Sequence, residues 1–100
     1  MEKDLEQIEV EFNNDAKKVF FSLFAKFEGA VRQLNRFKDD NVFQQLQGKY
    51  VYTLKIQLGD IASELINKSK ALKNLDELKK ELSREIDQYA REFINKSRSL

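Results

Sequence analysis

A chain of 100 residues with 41% hydrophobic and 35% charged residues has the length and composition of one folded domain. The absence of Cys and His excludes disulfides, thiolate chemistry, Ser-His-Asp and Cys-His catalysis, and His-ligated metal sites. The net charge of +1 by itself predicts nothing about partners. With no Pro and three Gly, the composition favours long uninterrupted helices.

The first predicted element is a helix over about residues 3–38. Apolar residues recur there at steps of three and four, at Leu5, Ile8, Phe12, Ala16, Val19, Leu23, Phe27, Ala30, Leu34 and Phe37. This spacing is typical of a helix with one buried face. An alternative is a break at Asn13-Asn14-Asp15, with a new helix starting at Ala16. We favour one helix because the apolar stripe keeps its phase across these polar residues.

The second predicted element is a helix over 42–68, with Asn41 as its N-cap and Gln44 completing a capping box. Its apolar stripe consists of Phe43, Leu46, Tyr50, Leu54, Leu58, Ile61 and Leu65. Gly48 and Gly59 lie inside this helix. They leave two alternatives open, a break at Gly59 or close packing against a neighbouring helix.

The third predicted element is a helix over 75–97, and Asn74 is its predicted N-cap. Its stripe is the cleanest of the three and consists of Leu75, Leu78, Leu82, Ile86, Tyr89 and Phe93. Acid-to-base spacings at i,i+4 predict two ion pairs, Asp87 with Arg91 and Glu92 with Lys96.

These three amphipathic helices predict an all-α fold, an elongated antiparallel three-helix bundle formed by residues 1–100 as a single helical domain. Six residues at the middle of the stripes are predicted to be buried, namely Leu23, Phe27, Leu54, Leu58, Leu82 and Ile86. The longest stretch rich in large apolar residues, 19–25, is shorter than the roughly 20 residues of a membrane span. The acidic N-terminus lacks the pattern of a secretory signal, so we expect a cytoplasmic protein.

No motif in the sequence points to an enzyme. The chain lacks a Gly-rich phosphate loop. Carboxylate pairs on the third helix, Glu77 with Glu81 and Glu81 with Glu85, are interleaved with Lys80 and Arg84, as in a solvated lattice of ion pairs. We therefore predict no catalytic residue, no metal, no cofactor and no small-molecule substrate.

Four residues stand off the main stripes and are the candidate partner-binding residues: Phe21, Ala25, Tyr52 and Ile56. Phe21 belongs to the Phe-rich segment 17–27, KKVFFSLFAKF, and is followed at i+4 and i+8 by the small residues Ala25 and Gly29. Tyr52 and Ile56 lie about opposite Leu54 and Leu58 on a helix with 100° per residue. Alternatively, they are scattered exposed apolar side chains, or a wide bundle buries them within the monomer.

Charge is unevenly distributed along the chain. Residues 1–15 carry six acids and one base (net −5), residues 16–59 carry eight bases and three acids (net +5), and residues 60–100 carry nine bases and eight acids (net +1). Our leading prediction is a non-enzymatic protein–protein interaction module of the adaptor or small-chaperone type. It would form a homodimer through an apolar patch on the first two helices. The alternative is a peripheral membrane-surface or nucleic-acid binder that uses the basic region 17–55.

Overall fold

The computed structural model describes residues 5–34, 40–68 and 75–99, and it confirms the predicted all-α fold. Three helices follow one another, α1 (Leu5–Leu34), α2 (Asp40–Lys68) and α3 (Leu75–Ser97). No strand is present in these three segments. Each helix contacts both others, as expected of a three-helix bundle.

The order of contacts along the helices gives an up-down-up arrangement. Phe27 near the end of α1 meets Phe43 near the start of α2, and Glu11 near the start of α1 lines one cavity with Leu65 near the end of α2, so these helices are antiparallel. Tyr89 of α3 contacts Phe12 and Phe20 of α1, whereas the later Phe93 contacts Phe20 and Phe27, so α1 and α3 run in the same direction. The bundle measures 54 × 18 × 18 Å and is therefore elongated, as predicted.

Both candidate breaks lie inside continuous helices. α1 runs through Asn13, whose side-chain amide donates to the Glu9 carbonyl one turn earlier at 3.0 Å. α2 runs through Gly59. It also begins at Asp40, two residues earlier than predicted, so Asn41 lies in its first turn rather than at the N-cap. The predicted helix ends at 3–4 and 35–38 and the predicted cap Asn74 lie outside the described residues.

The core is filled by large apolar side chains from all three stripes. Five of the six residues predicted to be buried are buried, at 0–6% exposure: Leu23, Phe27, Leu54, Leu58 and Leu82. The sixth, Ile86, packs against the core but is only half-buried, so that prediction is wrong. Phe93 lies at the centre of an aromatic cluster, with its ring 5.3–5.6 Å from three rings of α1: Phe20, Phe24 and Phe27.

Polar contacts between α2 and α3 lie along the antiparallel seam. The Gln47 amide donates to the hydroxyl of buried Ser97 at 2.6 Å, and the Lys55 ammonium lies 3.9 Å from the Asp87 carboxylate. The predicted pairs within α3 are wrong. Asp87 turns to Lys55 rather than Arg91, and the Lys96 ammonium lies over phenylalanine rings rather than at Glu92. None of the three described helices has an apolar stretch long enough to cross a membrane.

Candidate protein-interaction surfaces

All four residues predicted to bind a partner are exposed. Phe21 is 60% exposed, Tyr52 67% and Ile56 45%, and Ala25 is exposed as well. The bundle therefore does not bury them, which excludes one of the alternatives considered from the sequence.

Phe21 lies on the outward face of α1, leaning toward α3. Its ring meets the buried Phe20 ring edge-on, with centroids 5.9 Å apart. The Lys96 ammonium of α3 lies 5.4 Å from the Phe21 centroid and 5.0 Å from that of Phe24, within the range of cation–π attraction. Lys96 therefore rests on the Phe cluster and covers part of the seam between α1 and α3.

A shallow cavity of about 220 Å³ adjoins Phe21 at this seam. Its apolar walls come from three aromatic residues, and its rim carries two lysines and one glutamate: Phe20, Phe21, Tyr89, Lys17, Lys96 and Glu92. The exposed edge of the aromatic core is thus bordered mainly by positive charge.

Tyr52 and Ile56 form a separate apolar face on α2. They are one turn apart and point away from Leu54 and Leu58, which are fully buried. No ring contact, hydrogen bond or ion pair among the described residues joins them to Phe21, whose described neighbours belong to α1 and α3. The structure therefore presents the off-stripe residues as two surfaces, one on α1 and one on α2.

The sequence reasoning missed two exposed apolar residues, Val10 at 54% exposure on α1 and Val42 at 38% on α2. Val10 precedes Phe21 by eleven residues, or three helical turns, and the two side chains point within about 20° of each other around α1. The angular spacing around α1 that predicts an exposed Phe21 therefore predicts an exposed Val10 as well. We name Val10, Phe21 and Ala25 the α1 outer face.

The three glycines have room for a side chain in the monomer. A methyl group added at Gly29, Gly48 or Gly59 would meet no atom within 4 Å outside its own stretch of helix. The expectation that the two α2 glycines mark close packing within the bundle is therefore wrong. Gly48 precedes Tyr52 by one turn and Gly59 follows Ile56 by about one turn, so both flank the exposed pair. We name Gly48, Tyr52, Ile56 and Gly59 the α2 outer face.

A polar network connects α1 to α3 beside the aromatic core. The Tyr89 hydroxyl donates to Asn13 Oδ1 at 2.7 Å, and Asn13 Nδ2 donates to Glu85 Oε1 at 3.2 Å. The other oxygen, Oε2, is buried with no hydrogen-bond partner among the described residues.

This network places a carboxylate in an unfavourable environment. Burial raises the pKa of Glu85, and the charges of Glu9 and Glu81 raise it further, against the opposing effect of the Asn13 hydrogen bond. Burial also raises the pKa of Tyr89, helped by Glu85 and Glu92. Ionised Glu85 costs stability because it is partly buried. Its hydrogen bond to Asn13 joins α3 to α1, so Glu85 can align these two helices and make the stability of their packing depend on pH.

The described segments contain no group of three Asp or Glu side chains that could hold a metal ion. Comparison of the chain with protein-family models, with curated proteins and with solved structures finds no match.

Proposed function

We propose that this chain is a non-enzymatic helical module that binds other protein chains and self-associates through its outer faces. The observation that carries the proposal is the exposure of five large apolar side chains on two helices whose stripes already fill the core: Val10, Phe21, Val42, Tyr52 and Ile56. Aromatic side chains are enriched at protein interfaces, where a rigid ring buries a large area at little entropic cost.

The arrangement of these residues supports an adaptor role. Because the α1 and α2 outer faces are separate, each can bind a chain without displacing the other. Small residues accompany the large ones on both faces, with Ala25 one turn after Phe21 and Gly48 one turn before Tyr52. A partner helix can approach the backbone at such positions while the neighbouring ring packs against it.

The test places a charge on each face separately. The variants are Phe21→Glu and Ile56→Lys, and their matched controls are the adjacent exposed residues, Ser22→Glu and Gln57→Lys. Mass by light scattering and a melting curve are measured for all four. We expect a face variant to lower the mass to that of a monomer, or to lose a bound partner, while it stays helical and the controls behave like the parent. A face variant that unfolds, or that behaves like its control, contradicts the proposal.

A salt titration separates this function from the alternative of binding anionic lipid or nucleic acid through the basic region 17–55. Association through the apolar faces should weaken only modestly as ionic strength rises, because screening acts on the few charged residues that flank them. Binding to phosphate groups releases counterions and should weaken steeply as salt rises. Binding to anionic vesicles or oligonucleotides that is lost with salt, together with a monomeric chain, would favour the alternative.

A further inference from the structure

The α1 outer face has an acidic half and a basic half. Among the charged residues within about 80° of Phe21 around the helix, residues 5–15 carry two acids and no base, Glu6 and Glu11, whereas residues 16–27 carry two bases and no acid, Lys17 and Lys18. An exposed apolar side chain lies in each half, Val10 in the first and Phe21 in the second. The face is therefore divided into two complementary parts at about residues 15–16.

We propose that two copies of this chain dock through their α1 outer faces with the helices antiparallel, so that Val10 of each copy packs against Phe21 of the other. This inference rests on the proposed function and specifies the arrangement in which the chain self-associates. A two-fold axis between residues 15 and 16 relates the copies. The same patch is thus used on both sides, as in most homodimers.

This arrangement brings the exposed apolar residues into contact with each other and places opposite charges side by side. Val10 and Phe21 are separated by about 16 Å along the helix at 1.5 Å per residue, so an antiparallel copy presents the same pair in reverse order. The acidic half of each helix then lies along the basic half of the other. Glu11 and Lys18 lie on the same flank of α1, and the dimer brings Glu11 of one copy near Lys18 of the second.

Charge also disfavours the competing arrangement. Two parallel α1 helices in register would bring the acidic half of one copy, with Glu6 and Glu11, against the acidic half of the other, and the lysines against the lysines. Like charges facing each other across an interface are costly, and complementary halves select the orientation that separates them. The exposed α1 residues therefore fit an antiparallel second copy better than a parallel one.

Cysteine cross-linking tests the orientation directly, because the chain has no Cys of its own. Gln7→Cys and Ala25→Cys alter two exposed positions of α1 and leave Val10 and Phe21 intact. In the proposed dimer, residue 7 of one copy lies beside residue 25 of the other. Residue 7 lies about 26 Å from its own counterpart, far beyond the roughly 7 Å between Cα atoms that a disulfide allows.

The two variants are oxidised separately and as an equimolar mixture. We expect several-fold more disulfide dimer in the mixture than in either variant alone. Efficient cross-linking of Gln7→Cys with itself would indicate parallel helices. No cross-linking by a chain that light scattering shows to be dimeric would indicate another interface. Either result overturns the antiparallel arrangement and leaves the proposed function standing, whereas a chain that stays monomeric at all concentrations overturns self-association itself.

A charge exchange tests the register independently of the cysteines. Lys18→Glu should weaken the dimer several-fold, whereas the control Lys26→Glu, about 140° from Phe21 around the helix, should not. Adding Glu11→Lys to Lys18→Glu should recover most of the lost affinity in sedimentation measurements. If Lys26→Glu weakens the dimer as much as Lys18→Glu, or if the exchange recovers nothing, the proposed register is wrong.

Discussion

Replacing the two α2 glycines by alanine should stabilise the monomer. In a helix interior Gly costs about 1 kcal/mol relative to Ala, and an added Cβ at Gly48 or Gly59 meets no neighbouring atom within 4 Å. The two positions are about 16 Å apart along the helix, so their effects should add. Gly48→Ala with Gly59→Ala is therefore expected to raise the free energy of unfolding by about 2 kcal/mol, which raises the Tm of a domain of this size by roughly 8–16 °C.

Urea denaturation and a thermal melt of dilute protein measure this gain without the contribution of association. Gln45→Ala, at another exposed position of α2, is the control and should gain only a few tenths of a kcal/mol. If the double variant is less stable than the parent, a neighbouring group fills the space beside these glycines and the monomer packing is wrong. If the double variant is more stable as a monomer but binds its partner more weakly, the two glycines are needed for a second chain to pack closely on the α2 outer face.

Two further predictions concern the core and the network between α1 and α3. Leu54→Ala and Leu82→Ala should each lower the free energy of unfolding by about 2–5 kcal/mol, because both side chains are buried at 0–1% exposure; negligible shifts of the urea midpoint for both would contradict the core. Because the pKa of Glu85 in the folded state is raised above 4.5, ionised Glu85 destabilises the fold at pH values above that pKa. This destabilisation disappears as the pH falls toward 4.5. The parent should therefore gain stability relative to Glu85→Gln on acidification from pH 7, with Glu77→Gln as the exposed control; a difference that is constant or of opposite sign would contradict the assigned environment.

The helices and their pairing were predictable because each apolar stripe repeats a local spacing. Leu54 and Leu58 on α2 and Leu82 on α3 occupy stripe centres, and packing three stripes together leaves little choice of fold. The same spacing predicts that Phe21, Tyr52 and Ile56 lie outside the core.

Contacts between residues distant in the chain were not predictable in this way. Asp87 and Lys96 have oppositely charged residues at i+4 and i−4, yet one lies against Lys55 of another helix and the other over aromatic rings. An exposed pair within a helix contributes only about 0.2–0.5 kcal/mol, so a neighbouring helix easily offers a better contact. The bond between Asn13 and Glu85 joins residues 72 positions apart, and no local pattern indicates it.

Because the residues of the core and of the outer faces are different, a mutation can test the proposed binding function without unfolding the bundle. Phe20 and Phe21 are adjacent, but Phe20 is 6% exposed and contacts Phe93, whereas Phe21 is 60% exposed. Removing the Phe20 ring would create a cavity and destabilise the bundle. Removing the Phe21 ring costs the monomer mainly its contacts with Phe20 and Lys96. A change at position 21 that abolishes association without unfolding the chain would therefore report on binding, and the same change at position 20 would report on folding.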